Sequence, residues 1–350
     1  MKIAQVSSLM EAVPPKLYGG TERIVAYLTD ELVALGHDVT LFASGDSITT
    51  AKLVPGWPCA LRLAPGMRDY LAPHMVLLEE LAQRADEFDL IHLHIDYLGY
   101  PTLQRLDVPY LATLHGRLDL PELQRVYDVF SEVPVVSISD CQREPLPQAN
   151  YVRTVYHGLP DNLLRPGSGE GGYLAFIGRI SPEKAPDAAI RIAGRAGMKI
   201  KIAAKVDKVD QEYFAREIEP LLAQPHVEFL GEIDDRRKSD FLGNAAGLLF
   251  PIVWREPFGL AMIEAMACGT PVIAMRNGSV PEVIDEGVSG FIVESEAEAA
   301  RAVARLGQLD RRGVRRTFEK RFTARRMAED YVEIYSRLMA SRRRAQLKLA

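Results

Sequence analysis

The chain has 350 residues, of which 47% are hydrophobic and 25% charged, with a formal net charge of −5. This is an ordinary globular composition with room for two domains. No apolar run reaches the ~20 residues of a membrane-spanning helix, and the amino terminus enters a strand-like run directly, unlike a secretory signal peptide. Cys59, Cys141 and Cys268 lack disulfide or metal-site spacing, so we expect a protein of the reducing cytoplasm.

The charge is divided unevenly along the chain. Residues 1–170 are net acidic and residues 171–350 are net basic. An acidic first half argues against nucleic acid or broad docking on anionic lipid, whereas a mildly basic second half suits a phosphate-rich ligand. The basic tail with Arg342, Arg343, Arg344 and Lys348 leaves peripheral membrane contact open, and a solvated helix end is the alternative.

Short apolar runs alternate with amphipathic segments through the first half. The spacing predicts helices over 21–36, 70–85, 98–105, 119–130 and 140–147, and strands over 2–6, 38–43, 90–94, 110–115, 135–138 and 152–156. Such alternation predicts a parallel sheet covered on both faces. Ligands bind at the carboxyl ends of the strands in these sheets, so strand-end residues are the functional candidates. The segment 54–58, rich in proline and glycine, is predicted to be a loop.

Gly19 and Gly20 stand between the first strand and the first helix. Paired glycines let the backbone approach a ligand, and a helix N-terminus favours anions. A plain helix-entry turn is the alternative. The dinucleotide fingerprint Gly-x-Gly-x-x-Gly is absent here.

Three histidines lie at the ends of neighbouring predicted strands. His115 ends the run Thr-Leu-His-Gly, where a ring nitrogen can donate to a ligand oxygen, and a structural histidine is the alternative. We interpret His92 and His94 as structural. They share one face of a strand and could bind a metal, but no third ligand is evident.

The glycine-rich segment 165–172 predicts a flexible domain connector. The alternation restarts after it, with strands predicted over 173–177, 199–203, 227–230, 247–251, 271–274 and 290–293. Arg179 and Lys184 flank a predicted helix start, at which Ser181 is the expected cap and Pro182 the first helical residue. Two cations and free N–H groups there would hold a diphosphate, and ordinary surface charges are the alternative. Lys205 ends the next strand and can also face a phosphate.

The stretch from residue 256 to 271 reads Glu-Pro-Phe-Gly-Leu-Ala-Met-Ile-Glu-Ala-Met-Ala-Cys-Gly-Thr-Pro. It predicts a loop holding Glu256, a helix from near Pro257 that contains Glu264, and a stop at Gly269. A carboxylate accepts two hydrogen bonds and so fits a vicinal diol. The alternative is a glutamate that complements the helix dipole together with a solvated one.

This phrase, with its Glu-x7-Glu spacing, resembles the signature of the family-four retaining glycosyltransferases of the GT-B fold. Gly-Arg-x4-Lys at 178–184 fits the same family. The resemblance implies an α/β fold of two Rossmann-like parallel-sheet domains facing across a cleft. Residues 1–165 would form the acceptor-side domain, 166–330 the nucleotide-sugar-binding domain, and 331–350 a helix that packs back on the first domain.

The resemblance also implies roles for the candidate residues. Glu256 would contact the transferred sugar, Glu264 the ribose hydroxyls, and His115 the donor. Arg179, Lys184 and Lys205 would meet the diphosphate, and the loop at Gly231 would cradle the nucleobase. The remaining donor-binding positions by this resemblance are Gly19, Gly20, Phe258, Gly259 and Leu260.

Two segments depart from the family pattern. Ala185 stands where the family has glycine, and we expect only a local effect because alanine tolerates a helical turn. Asn277-Gly278-Ser279 replaces a Gly-Gly loop, whose backbone amides could reach the phosphate or sugar.

The resemblance, with the residues that carry it, implies a retaining hexosyltransferase. It would use a nucleotide-diphosphate sugar and an acceptor hydroxyl on a sugar, a lipid-linked molecule or a small molecule. No metal or cofactor is expected, since the sequence has no Asp-x-Asp pair placed to hold one. A nucleotide-sugar epimerase and a non-catalytic nucleotide-sugar binder are the alternatives, and the missing fingerprint counts against an oxidoreductase. The nucleobase, the donor sugar and the acceptor stay open.

Overall fold

The computed structural model describes residues 1–16 and 19–349, without the side chains of residues 343 and 345–349. It separates into two compact units. The first consists of Met1–Gly158 and the segment from Ala324 onward, and the second is Leu159–Thr323. The amide of Leu159 donates to the carbonyl of Phe322 at 2.9 Å, which ties the start of the second unit to its end. The units therefore meet in sequence at 158 and 324, a few residues before the predicted 165 and 331.

The first unit is built on a parallel sheet of seven strands in the order β3-β2-β1-β4-β5-β6-β7. Its strands are β1 Lys2–Val6, β2 Asp38–Ser44, β3 Lys52–Trp57, β4 Leu90–Leu93, β5 Tyr110–Thr113, β6 Pro134–Ser137 and β7 Asn150–Thr154. Its helices, numbered in chain order through both units, are α1 Gly20–Ala34, α2 Leu71–Gln83, α3 Tyr100–Leu103, α4 Pro121–Val129 and α13 Ala324–Leu349.

The sequence prediction for the first unit was wrong in two places. Segment 54–58 lies mostly in β3, which pairs in parallel with β2. Pro55 lacks an amide hydrogen and Gly56 lacks a side chain, so both weaken the strand pattern, yet an edge strand tolerates them. The helix predicted over 140–147 is reduced to one 3-10 turn, Cys141–Arg143.

The second unit repeats the architecture with six parallel strands in the order β10-β9-β8-β11-β12-β13. The strands are β8 Tyr173–Arg179, β9 Lys199–Lys205, β10 Val227–Gly231, β11 Gly247–Phe250, β12 Val272–Met275 and β13 Gly290–Val293. The helices are α5 Pro186–Arg195, α6 Gln211–Tyr213, α7 Glu219–Leu222, α8 Asp235–Gly243, α9 Leu260–Ala267, α10 Val280–Val283, α11 Glu296–Val303 and α12 Arg311–Arg321. All six predicted strands are present.

The glycine-rich segment is held within the second unit. The amides of Gly167, Gly169 and Gly171 donate to backbone carbonyls of Cys268, Gly243 and Asn244 at 3.1, 3.0 and 2.9 Å. The guanidinium of Arg311 donates to the carbonyl of Gly167 at 3.1 Å. The prediction of a flexible connector was therefore wrong, because composition does not reveal which carbonyls lie within reach.

In both sheets the order in which successive strands are added reverses once, between two central strands. Strand order runs one way from β1 and the other way from β4, and likewise from β8 and β11. Apolar cores of buried residues fill each unit around its sheet. Ligands in open parallel sheets bind outside the carboxyl ends of the strands at such a reversal, so this edge of each sheet positions the candidate site.

Candidate functional site

Two predicted cations end neighbouring strands of the second unit. Arg179 and Lys205 are register partners at the carboxyl ends of β8 and β9. Arg179 forms an ion pair with Glu183, and its Nε lies 3.4 Å from Oδ2 of Asp210. Lys205 Nζ lies 2.9 Å from Oδ1 of Asp207. The parallel register therefore gathers positive charge at this edge, and each cation has a carboxylate beside it.

The structure joins two segments that are far apart in sequence, those of Lys184 and Glu256. Lys184 Nζ donates to Oε2 of Glu256, and Trp254 Nε1 donates to the same oxygen at 3.0 Å. The ammonium also lies 5.2 Å from the ring centroid of Trp254 and 5.9 Å from that of Phe250, distances typical of cation–π contacts. Predicted phosphate-binding and sugar-binding residues thus share one site.

Glu256 lies in a loop, and the helix after it starts later than predicted. Helix α9 begins at Leu260, not near Pro257, because Gly259 adopts φ 84° at its N-cap. This left-handed conformation favours glycine. Phe258 is 2% exposed and packs on Phe322 with ring centroids 6.1 Å apart, so its side chain is core and only its backbone can meet a ligand.

The loop at Gly278 packs against the backbone of Glu256. A Cβ at Gly278 would lie 2.3 Å from the carbonyl oxygen of Glu256. The Ser279 amide donates to that oxygen at 3.0 Å, and its hydroxyl donates to the carbonyl of Phe258 at 2.7 Å. The expectation that this loop's amides reach a ligand is wrong for Ser279, whose amide fixes the Glu256 loop.

A lysine missed by the sequence analysis pairs with Glu264. Lys238 on α8 and Glu264 on α9 are 9% and 7% exposed, and Lys238 Nζ lies 2.7 Å from Oε1 of Glu264. It also lies 3.1 Å from Oδ1 of Asp235. In sequence Lys238 belongs to a polar run, and its one signal is that Phe241 and Leu242 follow at helical spacing on a buried face.

Ala185 does not occupy a helical turn. Residues Pro182–Lys184 form a 3-10 turn, and Ala185 follows with φ 49° and ψ 53°, the left-handed conformation. That conformation costs an L-residue about 1–2 kcal/mol and favours glycine. The expectation of a tolerated helical turn was wrong. Ser181 does not cap the turn with its side chain.

Gly231 ends β10 with φ 67°. A Cβ there would meet no atom within 4 Å among the described residues. The conformation, not crowding, therefore favours glycine at this position, and the backbone is open to an approaching group.

In the first unit, Gly19 precedes α1 and Gly20 is its first residue. A Cβ at Gly19 would lie 2.8 Å from Pro15 and 3.1 Å from Oε2 of Glu22. Burial raises the pKa of the Glu22 carboxyl above its usual value. Residues 17 and 18, just before the glycines, lie outside the described part of the chain.

His115 is held by other histidines. Its Nε2 lies 2.8 Å from Nδ1 of His94, and its ring stacks on His157 with centroids 5.3 Å apart. Burial lowers the pKa of His115 to about 3, so the ring is neutral at pH 7. His92 is fully buried, and within residues 1–16 and 19–349 no three His, Cys, Asp or Glu side chains form a metal-binding group.

None of the helices in the described part of the chain combines the length and apolar character needed to cross a bilayer. In the basic tail, Arg342 forms an ion pair with Asp107. The side chains of Arg343 and Lys348, part of the proposed membrane contact, lie outside the described residues.

Comparison with known proteins identifies relatives of both halves. A model described as Glycosyltransferase Family 4 matches residues 18–139, and one described as Glycosyl transferases group 1 matches residues 167–321. The D-inositol 3-phosphate glycosyltransferase of Acidothermus cellulolyticus is 26% identical over an alignment that covers 93% of this chain and 87% of that protein.

Solved structures share the fold. Sucrose-phosphate synthase from Thermosynechococcus elongatus superposes with a TM-score of 0.78 at 19% identity, over 97% of this chain and 99% of the other. Anabaena Alr3699/HepE in complex with UDP and glucose gives 0.73 at 21% identity, over 96% and 99%. With a family model matched to each half in order and two parallel-sheet units as observed here, the chain belongs to the group 1 glycosyltransferases, enzymes that use nucleotide-sugar donors, and has their GT-B fold.

Proposed function

We propose that the protein is a retaining, metal-independent hexosyltransferase whose donor is a nucleoside diphosphate hexose. The observation that carries the proposal is the meeting of Lys184 and Glu256 in one site, with Arg179 and Lys205 at the ends of adjacent strands. Cations suit the leaving diphosphate, and a carboxylate suits sugar hydroxyls. The neighbour solved with UDP and glucose makes UDP-glucose the first donor to test.

In the proposed reaction, the bond between the anomeric carbon and the diphosphate oxygen breaks while the acceptor oxygen bonds to the same face of that carbon. The acceptor proton passes to the departing diphosphate. Negative charge grows on the leaving oxygen, and Arg179, Lys184 and Lys205 stabilise it. One such donor is typically worth ~3 kcal/mol in the transition state.

A donor that binds at this site must replace a carboxylate as the partner of a cation. The diphosphate would take Lys184 from Glu256 and so release the carboxylate to accept hydrogen bonds from the hexose. Trp254, whose Nε1 donates to Glu256 at 3.0 Å, keeps that carboxylate in place during the exchange.

The second carboxylate serves the nucleoside in this proposal. Glu264 accepts from the ribose hydroxyls, and Lys238, 2.7 Å from Oε1, balances its buried charge. On the first unit, His115 is assigned to the hexose, and Gly19 and Gly20 to the donor phosphate and the acceptor.

The first experiment measures thermal stabilisation by UDP, GDP and ADP. A ligand that binds only the folded state adds about 2.7 kcal/mol at a hundredfold excess over its Kd. We expect one nucleotide, UDP first, to raise Tm, and the double variant Arg179→Ala/Lys184→Ala to abolish the rise. The matched control is Arg191→Ala/Lys201→Ala, which removes the same charge from pairs with Glu296 and Glu228 on the surface. An unmoved Tm in the folded wild type with all three nucleotides would reject the donor site.

The second experiment tests chemistry with UDP-glucose and an acceptor panel headed by inositol phosphates, which the relative's name suggests. Retention predicts the same anomeric configuration in product and donor by NMR, at a rate that EDTA leaves unchanged. A new nucleotide sugar formed without acceptor would identify an epimerase. Donor binding with neither transfer nor slow donor hydrolysis would identify a binder.

A further inference from the structure

A buried set of neutral polar side chains crosses the carboxyl ends of β1, β4 and β5 in the first unit. Six of its members are at most 3% exposed: Gln5, His92, His94, Thr113, Tyr331 and Tyr335. The seventh, His115, is partly exposed. Because water is excluded from most of the set, the partners themselves decide which nitrogen of each imidazole carries a proton.

The hydrogen bond between Gln5 and His94 fixes the tautomer of His94. Its Nε2 lies 2.7 Å from Oε1 of Gln5. A carbonyl oxygen only accepts, so His94 Nε2 must carry the hydrogen. Burial lowers the pKa of His94 well below its usual value, so the ring is neutral and its Nδ1 is a bare acceptor.

The hydrogen bond between His94 and His115 then fixes the tautomer of His115. Its Nε2 lies 2.8 Å from His94 Nδ1, so it must donate and carries the hydrogen. Since His115 is also neutral, its own Nδ1 is then a lone-pair acceptor. Nδ1 is buried and has no hydrogen-bond partner among the residues that the structure describes.

The hydrogen bonds from His115 through His94 to Gln5 form a relay. The orientation of the Gln5 amide decides in which direction its members donate. Its Nε2 donates to Tyr335 Oη at 3.2 Å. Its second hydrogen faces His92 Nδ1 at 3.5 Å, a nitrogen that Tyr335 Oη also contacts at 2.7 Å. With the reversed amide, Gln5 would donate to His94 Nε2, and the proton of His115 would move to its buried Nδ1, where no acceptor lies among the described residues. Buried N–H groups without acceptors are rarer than unused lone pairs, so the relay runs from His115 to Gln5.

We infer that Gln5 and His94 are positioning residues that hold His115 as the tautomer protonated on Nε2, which presents Nδ1 as an acceptor for a substrate hydroxyl. This reverses the expectation that His115 donates. The identity of that hydroxyl as a sugar's rests on the proposed function, whereas the tautomer does not.

The last helix takes part in this positioning through one of two tyrosines. Tyr335 on α13 accepts from Gln5, as above. Tyr331, one turn earlier, contacts Thr113 Oγ1 at 2.8 Å and has no contact with Gln5 or His115 among the described hydrogen bonds. The pair provides matched variants, since Tyr335→Phe and Tyr331→Phe each remove one buried hydroxyl from the same helix.

The experiment is nitrogen-15 NMR of the histidine rings at pH 7 without substrate, with the His115 signals assigned by their loss in His115→Asn. Protonated and bare ring nitrogens resonate in separate regions. We expect Nε2–H and a bare Nδ1 in the wild type and in Tyr331→Phe. In Gln5→Met, and to a smaller extent in Tyr335→Phe, the relay loses its direction, and the protonated fraction of Nδ1 rises.

A protonated Nδ1 in the wild type overturns the inference. So does an unchanged His115 signal in both Gln5→Met and Tyr335→Phe. If Gln5→Met does not fold, as judged by circular dichroism, the wild-type spectrum and the tyrosine pair still decide. The readout needs no ligand, so it is independent of whether the wild type transfers a sugar.

With UDP-glucose as probe, the Nδ1 resonance should shift as it accepts a hydrogen bond. If transfer is found, Tyr335→Phe should lower kcat/KM by roughly tenfold, the scale of one lost hydrogen bond, and Tyr331→Phe by less than about twofold. Absence of transfer by the wild type would reject the proposed function and leave the tautomer result standing. An unmoved Nδ1 signal in donor-saturated protein would overturn the substrate part of the inference alone.

Discussion

The two units have the same sheet order at their centres but fill the carboxyl edge of that sheet with opposite chemistry. In the first unit, buried imidazoles, an amide and hydroxyls hydrogen-bond to one another without formal charge. In the second, buried or half-buried ions pair between the loops and helices that follow the strands, as Lys184 does with Glu256 and Lys238 with Glu264.

This difference separates two tasks. An ion pair can exchange its carboxylate for a phosphate, so the second unit can bind an anion without creating an unpaired charge. A neutral network cannot balance an anion, but it fixes which atoms donate and which accept. In the proposed function, the same scaffold would stabilise charge in one unit and orient hydroxyl groups in the other.

The largest expected effect is on transfer by Lys184→Met. In the proposed function Lys184 stabilises the leaving diphosphate, so its loss should lower kcat by about 10²–10³-fold. The control Lys201→Met removes a lysine of the same unit that pairs with Glu228 at 3.1 Å, and it should retain activity. Unaltered UDP binding and turnover in Lys184→Met would remove the anion-binding role from the charged edge.

We call the carboxyl edge of the first unit's sheet, with its histidines, the neutral edge, and that of the second unit, with its ion pairs, the charged edge. Acid should destabilise the neutral edge first. Burial lowers the pKa of His92, His94, His115 and His157, so the folded protein binds fewer protons than the unfolded chain below about pH 6.5. Stability present above that pH is lost as pH falls toward the folded-state values. Between pH 6.5 and 5.5 the loss should be about 1 kcal/mol for each histidine. Urea unfolding across this range measures it.

The charged edge should respond at lower pH. Burial raises the pKa of Glu183, but its own backbone N–H and Arg179 outweigh burial and hold the pKa below the usual 4.5. Its stabilising contribution is therefore present above pH 4.5 and lost below it. Hydrogen exchange resolved by unit should show the first unit losing protection before the second. A free energy of unfolding that is constant from pH 7 to 5.5 would contradict the neutral network.

Breaking the second ion pair should lower the stability of the fold. Lys238→Met leaves the Glu264 carboxylate buried without its 2.7 Å partner, and the free energy of unfolding should fall by about 3 kcal/mol. Adding Glu264→Gln should recover much of it, because no unpaired charge remains. Urea unfolding of both singles and the double gives the coupling energy. Simple additivity would show that the pair is not coupled.

The smallest effect concerns backbone conformation at the charged edge. Ala185→Gly should raise stability by about 0.5 kcal/mol, since relief of the left-handed strain exceeds the entropy lost by glycine. The matched control Ala196→Gly, at a residue with φ −81°, should lower it by about 0.5–1 kcal/mol. The same sign for both variants would argue against strain at Ala185. Melting temperatures suffice for this comparison.

Local patterns carried much of the fold and part of the site. The strands of the second unit were predictable because each is a short apolar run bounded by polar or glycine residues. Arg179 and Lys205 could be placed at strand ends for the same reason. The sequence did not predict edge strand β3, because a proline and a glycine interrupt its pattern. It did not predict the role of Lys238, because the partner of Lys238 is on another helix.

The sequence by itself determined the strand–helix alternation, the parallel sheets and the residues at strand ends, since these depend on periodicity within a few turns of chain. Only the tertiary structure decided which of those residues meet. Lys184 and Glu256 are 72 residues apart, and Gln5 and Tyr335 are 330 apart. Their contacts follow from strand register and from the return of the last helix to the first sheet, and no local pattern encodes either. The tautomer of His115 depends on the second of these contacts.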